Sequence, residues 1–125
     1  MNKKVLIVDD EPHIRLLMAQ TLEELEDEGV EVLIAKNGEE AIETIKTEKP
    51  DLVFLDVMMP KMNGFDVCQA VKNNSEIKDV YIIMLTAKGQ EFDKEKGQQV
   101  GADLYMTKPF DPDEVVEKSW EILGL

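Results

Sequence analysis

Val5-Leu6-Ile7-Val8-Asp9-Asp10-Glu11 decides how this chain is read. Four apolar residues stand without alternation, and three acids follow at once. A strand with one face in water alternates. An unbroken apolar run suits a strand buried on both faces, as in the middle of a parallel sheet. Leu52-Val53-Phe54-Leu55, followed by Asp56, has the same form, as does Val80-Tyr81-Ile82-Ile83-Met84-Leu85, followed by Thr86. Val30–Ala35 and Asp103–Met106 are more mixed and read as edge strands.

Helical spacing fills the intervals. Ile14, Leu17, Met18, Thr21, Leu22 and Leu25 form one apolar stripe, and Ala41, Ile42 and Ile45 another. The second is entered through Asn37-Gly38-Glu39-Glu40, whose acids suit a helix N-terminus. Phe65, Cys68 and Val71 repeat at helical spacing. Gln90–Val100 is very polar and reads as a helix resting on Phe92, Lys96 and Val100. Asp111-Pro112-Asp113-Glu114 resembles a capped start, with proline at the first position and Glu three residues after the cap. The last helix then runs through Val115, Val116, Ser119, Trp120, Ile122 and Leu123. The acidic run Glu23-Glu24, Glu26-Asp27-Glu28 reads as a solvated helix C-terminus. Strand and helix alternate five times. The predicted fold is α/β: a five-stranded doubly wound parallel sheet with five helices, in the flavodoxin-like strand order 2-1-3-4-5.

The chain has 125 residues, enough for one core, so residues 1–125 read as a single domain. Its formal net charge is −13. Such a surface repels nucleic acid phosphates and anionic membranes, so neither is an expected direct partner, whereas a cation is welcome. The lone cysteine, Cys68, excludes an internal disulfide and a multi-cysteine zinc site, and reads as a small buried apolar residue. No apolar run is long enough to span a membrane. Met1-Asn2-Lys3-Lys4 looks like a native start and leads into an apolar run too short for a signal peptide. The expected location is the cytoplasm.

In an open α/β sheet, ligands bind beyond the carboxyl ends of the strands, at the switch point between the first and third. That rule selects a few of the 27 acids. Strand one ends in Asp9-Asp10-Glu11, strand three in Asp56, strand four in Thr86-Ala87 and strand five in Thr107-Lys108-Pro109. Asp51 and Asp103 lie at strand starts, on the opposite edge, and read as structural. Carboxylates converging from Asp9, Asp10 and Asp56 repel one another and call for a proton or a cation. An all-oxygen, partly hydrated set suits Mg²⁺, and Mn²⁺ fits similarly. The three acids, one divalent ion and Lys108 sum to zero charge, so the site can accept a phosphoryl group. Asp56, on the central strand, is the best nucleophile, giving an aspartyl phosphate. Lys108 would stabilise the developing charge, and the Thr86 hydroxyl would donate to a phosphoryl oxygen.

Two other chemistries fit this topology less well. A flavodoxin-like mononucleotide binder wants a Gly/Ser/Thr-rich loop after strand one, where this chain carries acids. A Mg²⁺-dependent phosphohydrolase usually places its nucleophile after strand one and needs a separate acid/base and a cap. A P-loop NTPase is excluded because no G-x-x-x-x-G-K-[ST] occurs. A Ser-His-Asp hydrolase is disfavoured, since neither Ser75 nor Ser119 ends a strand. His13, the only histidine, reads as a solvated residue in the first helical turn.

Four motifs stand in order: Val5–Glu11; Asp56-Val57-Met58-Met59-Pro60 with Asn63-Gly64; Leu85-Thr86-Ala87; and Lys108-Pro109-Phe110. Across essentially the whole chain the sequence resembles the receiver domains of two-component response regulators, the stand-alone chemotaxis kind among them. The resemblance implies a phosphorelay switch, a phospho-accepting regulatory domain that catalyses its own phosphotransfer and autodephosphorylation but is not an enzyme in the usual sense. Asp56 would take the phosphoryl group from a histidine kinase or phosphotransfer protein. Asp10, Asp56 and the Met58 backbone carbonyl would ligate Mg²⁺, with Asp9 acting largely through water. Lys108 would contact the phosphoryl group and Thr86 would hydrogen-bond it. Tyr105 would be the aromatic switch residue. Lys108-Pro109 would be a cis peptide, which costs little before proline. Met58 and Lys88 would flank the path of attacking water.

The switch would change the surface of the fourth helix, fifth strand and fifth helix. That surface would meet a protein effector or a covalently linked output domain, with the domain a monomer or a phosphorylation-dependent dimer. Leu22–Val30 is a few residues longer than the usual pattern, so the first helix or its exit loop should be extended.

Overall fold

In the computed structural model, which describes residues 3–87 and 91–125, five strands form one parallel sheet. The strands are β1 (Lys4–Val8), β2 (Glu31–Ala35), β3 (Leu52–Asp56), β4 (Tyr81–Ala87) and β5 (Leu104–Lys108), in the order β2-β1-β3-β4-β5. The helices are α1 (Pro12–Thr21), α2 (Glu23–Glu26), α3 (Gly38–Glu48), α4 (Gly64–Lys72), α5 (Glu91–Val100) and α6 (Pro112–Leu123). The sheet and its order are as the apolar runs predict.

Burial explains why those runs are continuous. Leu6, Val8, Val53, Leu55, Ile82 and Met84 face a core that includes Ala41 and Ile45 of α3 and Phe65, Cys68 and Val71 of α4. Val5, Ile7, Leu52, Phe54, Ile83 and Leu85 face the other way, toward Met18, Leu22, Leu25, Val115 and Leu123. Every residue of β3 is buried, as a central strand covered on both faces requires. Cys68 is fully buried, its Sγ lies 3.5 Å from the Val100 carbonyl, and burial pushes its thiol up to about 11.

The first helix differs from the reading by periodicity. It stops at Thr21, Leu22 leaves helical geometry, and a separate turn, α2, follows, making six helices rather than five. Leu22 and Leu25 on either side of the break are both in the core, and the acids around them stay exposed. Glu23, Glu24 and Glu26 therefore sit, exposed, in a one-turn helix of their own and not at the C-terminus of a long one. This break and the exit turn at Gly29 take up the extra length between Leu22 and Val30. Leu17, expected on the buried stripe, is 44% exposed.

Caps also differ. Asp111 caps α6 by accepting from the Asp113 amide at 2.9 Å, with Pro112 at the first position. The reciprocal capping box forms instead at α4. There Asn63 Oδ1 accepts from the Asp66 amide at 2.9 Å, and Asp66 Oδ2 from the Asn63 amide at 3.1 Å. Helix α5 begins at Glu91; Gln90 and the side chain of Phe92 lie outside the described residues.

The amino ends of the strands carry purely structural contacts. Asp51 Oδ2 accepts from the Lys4 amide at 2.8 Å. Asp103 Oδ2 accepts from the Ile82 amide at 2.8 Å and from Lys72 Nζ at 3.1 Å. Lys72 also donates to the Lys78 and Val80 carbonyls.

A carboxylate cluster with a bridging lysine

The carboxyl ends of β1, β3, β4 and β5 meet on one edge of the sheet. Register sets the meeting: Val8 pairs with Leu55, Asp56 with Leu85, and Ala87 with Lys108. Each chemical group thus stands at the end of its strand or just beyond it. Asp9, Asp10 and Asp56 each present a carboxylate oxygen, all within 4.8 Å of one another. Lys108 Nζ donates to Asp9 Oδ2 at 2.8 Å and to Asp56 Oδ1 at 3.0 Å. The lysine spans 99 and 52 positions of sequence to do so.

Asp9 and Asp56 are buried, whereas Asp10 is half-buried. Both oxygens of Asp9 have protein donors, since Oδ1 accepts from the Glu11 amide at 2.9 Å. Asp56 Oδ1 also accepts from the Met58 amide at 3.3 Å. Burial pushes the Asp56 carboxyl up from 3.8 to about 6; Lys108 pulls it down and the neighbouring Asp9 pushes it up. Burial alone would lower the Lys108 ammonium. Hydrogen bonds to Asp9 and Asp56 outweigh that and hold it above its ordinary value.

Thr86 is buried, and among the described residues its hydroxyl reaches only the Met106 carbonyl, at 3.5 Å. That is longer than a good O–H···O bond. Tyr105 pairs with Met84 and packs its half-buried ring against the Cys68 side of the core. Its hydroxyl is shut from solvent with no hydrogen-bond partner among the described residues, and burial raises its pKa. The Lys108-Pro109 peptide is cis. Met58 is 71% exposed beside the cluster, and Lys88 lies outside the described residues. His13 is exposed, 3.2 Å from Glu11.

Two parts of the site escaped the sequence reading. Arg15, the only arginine, donates from Nη1 to the Asp9 carbonyl at 2.8 Å and steadies the end of β1. Its position in α1 leaves no mark of that contact in the sequence. The Val57 amide donates to the Leu85 carbonyl at 3.2 Å, which extends the β3–β4 ladder past the acid. Such a backbone contact leaves no mark on residue type.

The profile of the response regulator receiver domain family matches residues 5–119. The alkaline phosphatase synthesis transcriptional regulatory protein PhoP of Bacillus subtilis is 50% identical over 115 residues, covering 92% of this chain and 46% of that protein. Protein PilG of Pseudomonas aeruginosa is 42% identical over 113 residues, covering 90% of this chain and 82% of PilG. The chemotaxis protein CheY4 of Vibrio cholerae has a similar structure, with a TM-score of 0.86, 35% identity and coverage of 98% of this chain and 99% of CheY4.

The chain belongs to the response regulator receiver domain family. It is a regulatory domain of two-component phosphorelay signalling rather than an enzyme of the usual kind. Receiver domains generally bind Mg²⁺ through acidic residues and interact with histidine kinases or phosphotransfer proteins. The chain spans 46% of PhoP, as it spans about half of several other curated relatives. Among the described residues no helix is long and apolar enough to cross a membrane.

Proposed function

We propose that this domain is a Mg²⁺-dependent phosphorelay switch whose phosphoacceptor is Asp56. The bridging of Asp9 and Asp56, both buried, by Lys108 inside a three-carboxylate cluster carries this reading. Two buried acids and one lysine leave the cluster with net negative charge, and the donors are all hard oxygens. Mg²⁺ fits such a set, and Mn²⁺ fits it similarly. Asp10 and Asp56 would hold the ion directly with the Met58 carbonyl. Asp9, both of whose oxygens already accept from protein donors, would act through water. Bound there, the ion supplies charge neutralisation for an incoming phosphoryl group.

Asp56 attacks phosphorus of a phosphohistidine on a histidine kinase or phosphotransfer protein. An O–P bond forms and the N–P bond breaks, leaving the imidazole to take a proton. Lys108 then turns from Asp56 toward a phosphoryl oxygen without leaving Asp9. The loosely held Thr86 hydroxyl gains a better acceptor than the Met106 carbonyl. Its movement inward changes the space behind it, Tyr105 repacks, and the surface of α5, β5 and α6 changes. A state so marked binds its effector or linked output domain differently, by the difference in contacts between the two conformations. Met58, exposed beside the cluster, tunes hydrolysis of the acyl phosphate, and Lys88, two residues after Thr86 in the sequence, would tune it too. The domain works in the cytoplasm, as a monomer or a phosphorylation-dependent dimer.

Intact mass after incubation with Mg²⁺ and a small acyl-phosphate donor tests this. One phosphoryl adduct is expected in the wild type, and none with EDTA or in Asp56→Asn. An adduct in Asp56→Asn, or none in the wild type, overturns the assignment.

A further inference from the structure

Gly38 and Gly64 are the first residues of α3 and α4, and both are buried. Neither has the left-handed φ that asks for glycine. Among the described glycines that conformation belongs to Gly29, Gly101 and Gly124. What distinguishes Gly38 and Gly64 is lack of room. A Cβ on Gly64 would stand 2.5 Å from the Asp56 carbonyl oxygen and 2.9 Å from Val57 Cα. A Cβ on Gly38 would stand 2.8 Å from Met62 Cβ and Cγ and 2.9 Å from the Met62 carbonyl oxygen. The chain after the phosphoacceptor is therefore gripped at two points by the starts of two successive helices.

The segment between those points cannot absorb a push. Met62 N donates to the Pro60 carbonyl at 2.7 Å, and proline fixes one torsion there. Lys61, between them, already has a φ of 67°. Gly64 N donates to the Val57 carbonyl at 3.0 Å, and Val57 N is tied to β4. A push on Met62 would be passed along this short segment toward Met58.

We propose that Gly38 is a positioning residue for the phosphoacceptor loop, acting through Met62 to set where the Met58 backbone stands against the carboxylate cluster, and thereby the Mg²⁺ affinity. The inference rests on the reading of that cluster as a Mg²⁺ site. Gly38 touches no reacting group. Its effect comes through contact alone, from an element otherwise outside the site.

Mg²⁺ titration by calorimetry tests it on the wild type, Asp10→Asn, Gly38→Ala and the double variant Gly38→Ala with Met62→Gly, each checked for fold by circular dichroism. A glycine that merely starts a helix at ordinary φ tolerates alanine, which should then leave Mg²⁺ affinity alone. Instead Gly38→Ala should bind Mg²⁺ about tenfold more weakly, as loss of an outer-sphere support does. The double variant, freed of the contacts with Met62 Cβ and Cγ but not of the 2.9 Å approach to the carbonyl oxygen at position 62, should regain part of that loss.

If Gly38→Ala does not fold, the double variant should fold and bind. Wild-type affinity in Gly38→Ala, or a double variant no better than the single, overturns the proposal. Wild-type protein that binds no Mg²⁺, or Asp10→Asn that binds like wild type, overturns the site reading instead.

Discussion

Asp56 stands between opposed influences. Burial and Asp9 favour its neutral form; Lys108 favours the charge. With a folded-state value near 6 against 3.8, the folded protein holds this proton more tightly than the unfolded chain. The associated stability is full below pH 3.8 and is lost as pH rises through about 6. Metal-free Asp56→Asn should therefore be more stable than the wild type at pH 7 by about 1–2 kcal/mol, allowing for screening at the mouth of the site. Urea unfolding at pH 7 and pH 4 checks this, and the difference should vanish at the lower pH. Lys108→Ala acts in the opposite sense. It leaves Asp9 and Asp56 buried without a counter-charge, so it should cost about 3 kcal/mol in EDTA, with part of the loss recovered in Mg²⁺. It should still bind metal but lose phosphorylation-dependent affinity for a partner. Normal switching would refute the role given to Lys108. Both acids and the lysine were legible, because each follows an apolar run. The Arg15 contact was not, since a surface-prone residue in a helix gives no hint of which carbonyl it meets.

At the scale of elements, strands were read more surely than helix ends. A central strand is dictated by burial on both faces, and β3 carries that in every residue, as β1 does from Val5 to Val8 and β4 from Ile82 to Thr86. The break between α1 and α2 had no such mark, because Leu22, Glu23, Glu24 and Leu25 are all good helix formers. Both leucines are buried, as an unbroken stripe would also have placed them, so burial does not mark the break either. The box at the start of α4 was likewise hidden. Asn63-Gly64 was read as part of a motif, and Asp66 is not the glutamate that usually closes the reciprocal bond. Asn63→Ala should cost about 1 kcal/mol by urea unfolding, as loss of a good cap does. An unchanged midpoint would mean that the box contributes little to stability.

The whole molecule carries a formal charge of −13, and part of it is concentrated where three carboxylates meet. A ligand that binds only the folded form stabilises it by mass action, so Mg²⁺ at a hundred times its dissociation constant should add about 2.7 kcal/mol. Thermal unfolding against NaCl of matched ionic strength separates this from general screening. Asp10→Asn should respond to the two salts alike.

The lysine bridge also bears on how the chain is made. Synthesis runs from the amino end, so Asp9 and Asp56 leave the ribosome well before Lys108. A nascent sheet of β2, β1 and β3 would enclose two like charges with nothing between them. Closure on β5 brings Lys108 between them and relieves part of that penalty, so the last strand synthesised eases the burial of the first. The residues that would receive the signal thus also bind the sheet into one cooperative unit.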